Sequence, residues 1–133
     1  MTRRLPFLLT SLVGLGMALG LPSCGKPKEL PYKDLKYVNN SFADPQTKKP
    51  FSGISKDYYK DGQLKAEYPI KNGFYEGTVK EWHPNGKPLA ETEFVKGERV
   101  GKNREWTEAG LLYRERVYDH DRIVSEKNYE AGK

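Results

Sequence analysis

Glycine recurs with a period of 24 residues, and this spacing constrains the fold more than any other feature of the chain. Gly53, Gly77 and Gly101 open three units, 53–76, 77–100 and 101–124. In each unit an aromatic residue follows five positions later (Tyr58, Trp82, Trp106). A second glycine follows nine positions later (Gly62, Gly86, Gly110), and a glutamate fourteen positions later (Glu67, Glu91, Glu115). A partial unit continues from Ser125, and a degenerate half-unit, Leu35 to Ser52, comes first. A fixed period of this size marks a repeat architecture, in which each unit buries its apolar face against its neighbours.

Each unit reads as two short strands. Asp61-Gly62, Asn85-Gly86 and Ala109-Gly110 separate them. Asn-Gly and Asp-Gly favour two-residue type I′ hairpin turns, which need positive φ at both positions. Lys71-Asn72-Gly73 and Val95-Lys96-Gly97 link successive units, with His120-Asp121 as a worn third copy. Gly and Pro recur too often for a sustained helical period. The expected fold is all-β: an elongated antiparallel β-meander of three to four two-stranded repeats.

Two-residue turns set a register that places a basic residue opposite glutamate in every unit. Lys56 faces Glu67, Lys80 faces Glu91 and Arg104 faces Glu115 as structural ion pairs. Trp82 then faces Leu89, and Trp106 faces Tyr113. Such pairs contribute roughly 0.2–1 kcal/mol each, but a slip of one residue would turn every side chain to the other face. On that other face Asp57, Glu81 and Glu105 repeat. They read either as a row of ligands for cations and basic partners or as a solvated charged face. A row along a sheet does not converge as metal ligands must. Tyr58, Trp82, Trp106 and Tyr113 read either as anchors for a partner protein or as packing between hairpins.

The N-terminus reads differently from the repeats. Met1-Thr2-Arg3-Arg4 is basic, and Leu5 to Leu21 is a charge-free, mostly apolar run that ends at small residues. That order describes a secretory signal. The segment from Gly25 to Asp34 is polar, carries Pro27 and Pro31, and reads as an extended tether. The 133 residues carry a formal net charge of +5, with 36% apolar and 31% charged residues. This composition disfavours a deep, closed catalytic core. Basic residues do not cluster as a phosphate backbone requires, so no nucleic-acid partner is expected.

Leu21-Pro22-Ser23-Cys24 resembles the lipobox of bacterial lipoproteins. The resemblance implies cleavage before Cys24, lipidation of that cysteine, and a stable membrane anchor, which takes more than one acyl chain. It divides the chain into a signal peptide (1–23), a lipidated Cys with flexible tether (24–34) and a repeat domain (35–133). It places the protein in the cell envelope on the non-cytoplasmic side of a membrane. Gly25 after Cys24 resembles outer-membrane sorting in an organism with two membranes.

Pro50-Phe51-Ser52-Gly53, Tyr58-Tyr59-Lys60-Asp61-Gly62-Gln63-Leu64-Lys65 and Trp82-His83-Pro84-Asn85-Gly86-Lys87 resemble the bacterial MORN-repeat variant. That resemblance implies an elongated antiparallel sheet with an open, aromatic-bearing face that scaffolds proteins. Many bacterial members carry an antitoxin-like label.

The chain offers little catalytic chemistry. His83 and His120 both fall at expected turns, His83 beside the Asn85-Gly86 hairpin and His120 in the worn linking turn. Cys24 has no second cysteine to join. Neither a Gly-x-Ser-x-Gly elbow nor a phosphate-binding loop is present. Cross-strand cations would hold Glu67, Glu91 and Glu115 ionised, against the raised pKa a general acid needs. No catalytic residue, metal or cofactor is expected. The expected function is non-catalytic: an anchored envelope lipoprotein that binds a protein partner through its repeat face. The alternative is an antitoxin or immunity protein that neutralises a toxin.

Overall fold

The turns decide how the repeats pair. The computed structural model describes residues 25–130; Cys24 and the signal expected over 1–23 lie outside them. The N-terminal part holds β1 (Glu29–Pro31), a 3-10 turn (Tyr32–Asp34), β2 (Lys36–Val38) and β3 (Ser41–Ala43). The first repeat holds β4 (Gly53–Tyr58) and β5 (Leu64–Lys71). β6 (Phe74–Tyr75) ends the first unit, the second holds β7 (Gly77–Trp82) and β8 (Pro88–Val95), and β9 (Glu98–Trp106), β10 (Leu112–Asp119) and β11 (Arg122–Asn128) follow. One sheet runs in the order β1-β4-β5-β7-β8-β9-β10-β11, with β6 also on β5. The fold is an all-β meander, antiparallel throughout this sheet except for the parallel pair β1–β4. β2 and β3 form a separate hairpin.

The two-residue turns expected at Asp61-Gly62, Asn85-Gly86 and Ala109-Gly110 are three-residue loops instead. Tyr59 N–H donates to Gln63 O at 2.9 Å, His83 N–H to Lys87 O at 2.8 Å, and Thr107 N–H to Leu111 O at 2.9 Å. Gly62, Gly86 and Gly110 then close each loop at φ of 87°, 81° and 88°. This is a type I turn followed by a left-handed glycine, the next most common hairpin closure. The register shifts once on the returning strand, leaving Lys65, Leu89 and Tyr113 as bulge residues. The bulge restores the register that a two-residue turn would have set. Lys56 lies opposite Glu67, Lys80 opposite Glu91 and Arg104 opposite Glu115. Trp82, however, lies opposite Pro88 rather than Leu89, and Trp106 opposite Leu112 rather than Tyr113.

Type I′ turns occur between the hairpins. Asn72-Gly73, Lys96-Gly97 and His120-Asp121 all have positive φ. The third has no glycine. Asp121 Oδ1 holds it by accepting from Arg99 N–H at 3.2 Å and Arg99 Nε–H at 2.7 Å.

Pairing continues from hairpin to hairpin, so the charges form one ladder. Lys56, Glu67, Lys80, Glu91, Arg104, Glu115 and Lys127 stand opposite one another in sequence from β4 to β11. The signs alternate without a break. Of the three expected ion pairs only Arg104–Glu115 closes, at 2.9 Å. Lys56 turns to Glu29 on β1 at 3.0 Å, and Lys80 faces Glu91 without a direct ion pair.

The expected tether is part of the fold from Lys28 onward. Lys28 O accepts from Ile54 N–H at 2.8 Å, and Ser55 Oγ donates to Leu30 O at 3.0 Å. The Lys28 ammonium pairs with the buried carboxylate of Asp44. The physical reason is the free edge of β4, which an extended, proline-bearing segment covers. The core lies on the face opposite the ladder, where Ser55, Ala66, Val79, Ala90, Asn103 and Tyr118 are buried, with Phe51 beside them.

Candidate binding surface

Where the N-terminal segment crosses the first linking turn, six aromatic rings meet. Tyr32 packs on Tyr68 at 4.5 Å between centroids, Tyr68 on Tyr75 at 5.5 Å, and Tyr75 on Phe94 at 5.3 Å. Phe42 bridges Tyr37 at 5.2 Å and Tyr75 at 5.1 Å. The Tyr32 and Tyr75 hydroxyls lie 3.1 Å apart. Burial, and then the bond to Tyr32, push the Tyr75 phenol far above its ordinary range, and burial raises Tyr68 to about 12. Both remain neutral hydrogen-bonding groups at any physiological pH.

This cluster leaves an open groove of about 550 Å³, lined by Tyr32, Tyr37, Phe42, Phe74, Tyr75 and Lys96 among others. Tyr37 is 65% exposed and Phe74 41% exposed. Beyond Phe74 lies a second hollow of about 530 Å³, edged by Lys71, Glu76 and Lys96. Large apolar rings on an open surface, rimmed by charges, are typical of binding sites. Sequence reasoning missed this groove. Its signal was the aromatic run Tyr32, Tyr37 and Phe42 in the segment read as tether and half-unit.

The four aromatic residues singled out from the sequence do not join this groove. Tyr58 is half exposed, beside β1. Trp82 and Trp106 are half-buried on successive repeats, and each offers its backbone carbonyl to the preceding one. Tyr59 O–H donates to Trp82 O at 2.7 Å, and His83 Nε2–H donates to Trp106 O at 2.8 Å. His83 therefore ties two repeats together as well as opening its loop. Asn85 Nδ2 and Lys87 Nζ extend that tie to Glu108 O at 2.8 Å and Ala109 O at 3.0 Å. They steady the third loop, which lacks the Asp or Asn of the others.

Tyr113 is half-buried, and its hydroxyl donates to Glu105 at 2.6 Å. Glu105 also holds the guanidinium groups of Arg114 and Arg116. Burial pushes the Glu105 carboxyl up, but the bonds from Arg114 and Tyr113 outweigh it, and its pKa is lowered. Glu81, the middle member of the acidic row, has a raised pKa. Burial is the main cause, and Glu105 adds to it while Lys65 only partly offsets it. Two buried atoms on the same face, Asn103 Oδ1 and Arg114 Nε, have no hydrogen-bond partner. Among the described residues no group of His, Cys, Asp and Glu is arranged to hold a metal ion.

The fold and its loops define a protein of tandem β-hairpin repeats tied by side chain–backbone bonds. Two adjacent segments, residues 51–72 and 75–96, match the MORN repeat variant, so the chain carries two adjacent repeats of this type. The hairpin β9–β10 repeats their loop geometry. No curated protein and no solved structure matches the chain.

Proposed function

We propose that this protein is a non-catalytic binding module that holds a partner protein against its repeat sheet, with the aromatic groove as the main contact. The observation that carries this reading is the pair Tyr37 and Phe74, two large rings standing exposed around an open hollow. MORN repeats generally serve as interaction modules for proteins and membranes, which fits such a role. The lipobox-like run ending at Cys24 supports a lipid anchor, which would hold the module at a membrane surface on the non-cytoplasmic side. In this reading the sheet begins a few residues from the lipid, because the segment from Lys28 is already docked on β4. The groove would then present itself close to the membrane.

The test is photo-cross-linking in cells from a probe residue placed at Tyr37, followed by mass spectrometry. One stoichiometric protein supports the reading, and a partner that is itself toxic would assign the module an antitoxin role. A diffuse background of abundant envelope proteins, identical to that from a probe at exposed Lys60, contradicts it.

A further inference from the structure

We infer that Glu81 is the docking point for a guanidinium or ammonium side chain carried by the partner protein. The inference rests on the binding reading above and specifies the chemistry of the partner.

The repeats supply their own comparison. Asp57 occupies this place in the first repeat, and Lys65 Nζ holds it at 2.9 Å. Glu105 occupies it in the third, and Arg114 and Arg116 hold it. In the second repeat the positions equivalent to Lys65, Arg114 and Arg116 are Leu89, Ala90 and Thr92. None is basic. Among the described residues no hydrogen bond or ion pair reaches the Glu81 carboxylate. The two charged groups that act on Glu81, Lys65 and Glu105, are already engaged, Lys65 by Asp57 and Glu105 by its arginines.

The surroundings favour an incoming cation. Glu81 stands directly between Ala66 and Ala90 on the neighbouring strands, two methyl groups that offer its carboxylate no hydrogen bond. Tyr68 is the next residue on the same face beyond Ala66, and it stacks on Tyr75, which lines the groove. A carboxylate without a counter-ion offers an arriving cation a charge-assisted ion pair. A half-buried carboxylate without a counter-ion is costly, and a partner's cation relieves that cost only in the complex. A partner segment that fills the groove with apolar side chains and sets Arg or Lys on Glu81 satisfies both features.

The test uses the full chain, isotope-labelled, and blocked arginine (N-acetyl-arginine methylamide) as the probe. Saturable shifts at the amides of Ala66, Glu81 and Ala90 are expected. Affinity should fall about tenfold in Glu81→Gln, a change of about 1.4 kcal/mol. Leu89→Lys, which copies Lys65 into the second repeat, should keep the fold and lose the probe. Equal binding by the Glu81→Gln chain, or undiminished binding by Leu89→Lys, overturns the inference. So does tighter binding of free spermidine than of blocked arginine, which would point to a small polyamine rather than a protein side chain. A cellular partner cross-linked equally well by Glu81→Gln overturns the cation site and leaves the binding function standing. Glu81-dependent arginine binding without any captured partner does the reverse.

Discussion

His83 Nε2 meets the backbone carbonyl oxygen of Trp106 at 2.8 Å, across the boundary between two repeats. Tyr59 makes the same connection to Trp82 one repeat earlier. The hairpins are already one sheet through β5–β7 and β8–β9 pairing, and these bonds add a tie between neighbouring repeats at the loop ends. They also give Trp82 and Trp106 a structural role that their side chains alone do not reveal.

Removing either tie should weaken the domain without dismantling it. Tyr59→Phe and His83→Ala should each cost about 1 kcal/mol, as expected for a lost hydrogen bond that leaves a carbonyl without its donor. The sites serve different repeat junctions, so the double variant should cost the sum within about 0.5 kcal/mol. Urea denaturation with one cooperative transition checks both values. A double variant no weaker than either single one would show that the two junctions are not independent.

The charge ladder sets a second expectation. Lys80 stands between Glu67 and Glu91, so Lys80→Glu lines up three acids on adjacent strands. The cost should be about 1 kcal/mol at low salt, and most of it should vanish near about 1 M salt, where screening is shortest. Melting curves at the two salt concentrations measure this. A salt-independent cost would mean that packing of the lysine stem, not charge order, is what the ladder contributes.

Acid should loosen the N-terminal strand before the sheet. Lys28, and then the Thr47 and Gln46 backbone N–H groups, hold Asp44 at about 2, below its ordinary 3.8. A depressed carboxyl stabilises the fold above the unfolded value and loses that contribution as pH falls through the folded one. Hydrogen exchange at Ile54 N–H, which bonds Lys28 O, should therefore accelerate between about pH 4 and 2 while the amides of β8 and β9 stay protected. Asp44→Asn should show the fast exchange already at pH 7. Gly53→Ala should do the same for a steric reason, because a Cβ there would lie 2.1 Å from Lys28 O at a φ of 154°.

Glu81 gives a change of opposite sign. Its pKa is raised, so its charged form costs stability at neutral pH, and that cost disappears as the pH falls below the ordinary 4.5. Glu81→Gln should raise the melting temperature at pH 7, with the gap to the parent chain closing toward pH 4. A lower melting temperature at pH 7 would mean that the carboxylate is already paired in the free protein.

Much of the sheet is legible in the sequence because the repeat enforces it. The 24-residue spacing and the recurring basic–glutamate pairs lead to the register of β4 with β5, β7 with β8 and β9 with β10. The turn type is not legible. Asn85-Gly86 suits a two-residue turn locally, but the chain uses Gly86 to close a type I turn and absorbs the extra residue as a bulge at Leu89. The loop and the bulge cancel at Lys80 and Glu91, so the ladder comes out the same either way. The difference surfaces only beside the loop, where Trp82 meets Pro88.

The groove and the docked N-terminal segment are harder to read. Both depend on contacts between residues far apart in the chain, Lys28 with Asp44 and Tyr32 with Tyr75, and the aromatic run Tyr32, Tyr37 and Phe42 does not say what it meets. A polar stretch with two prolines looks like a spacer until the free edge of β4 is known. The ties from Tyr59 and His83 are likewise invisible without the stacking of the loops, although both residues occupy the same place in their repeats.

The most direct test of the binding account measures folding and partner capture on the same variant. Tyr37→Ala combined with Phe74→Ala removes the two exposed rings of the groove. The account predicts that cross-linked partner is lost while the urea midpoint stays within the range of surface substitutions, about 0.5 kcal/mol for each residue. Undiminished capture, or loss of capture together with a collapse of stability, would contradict it: the rings would then be bystanders or core.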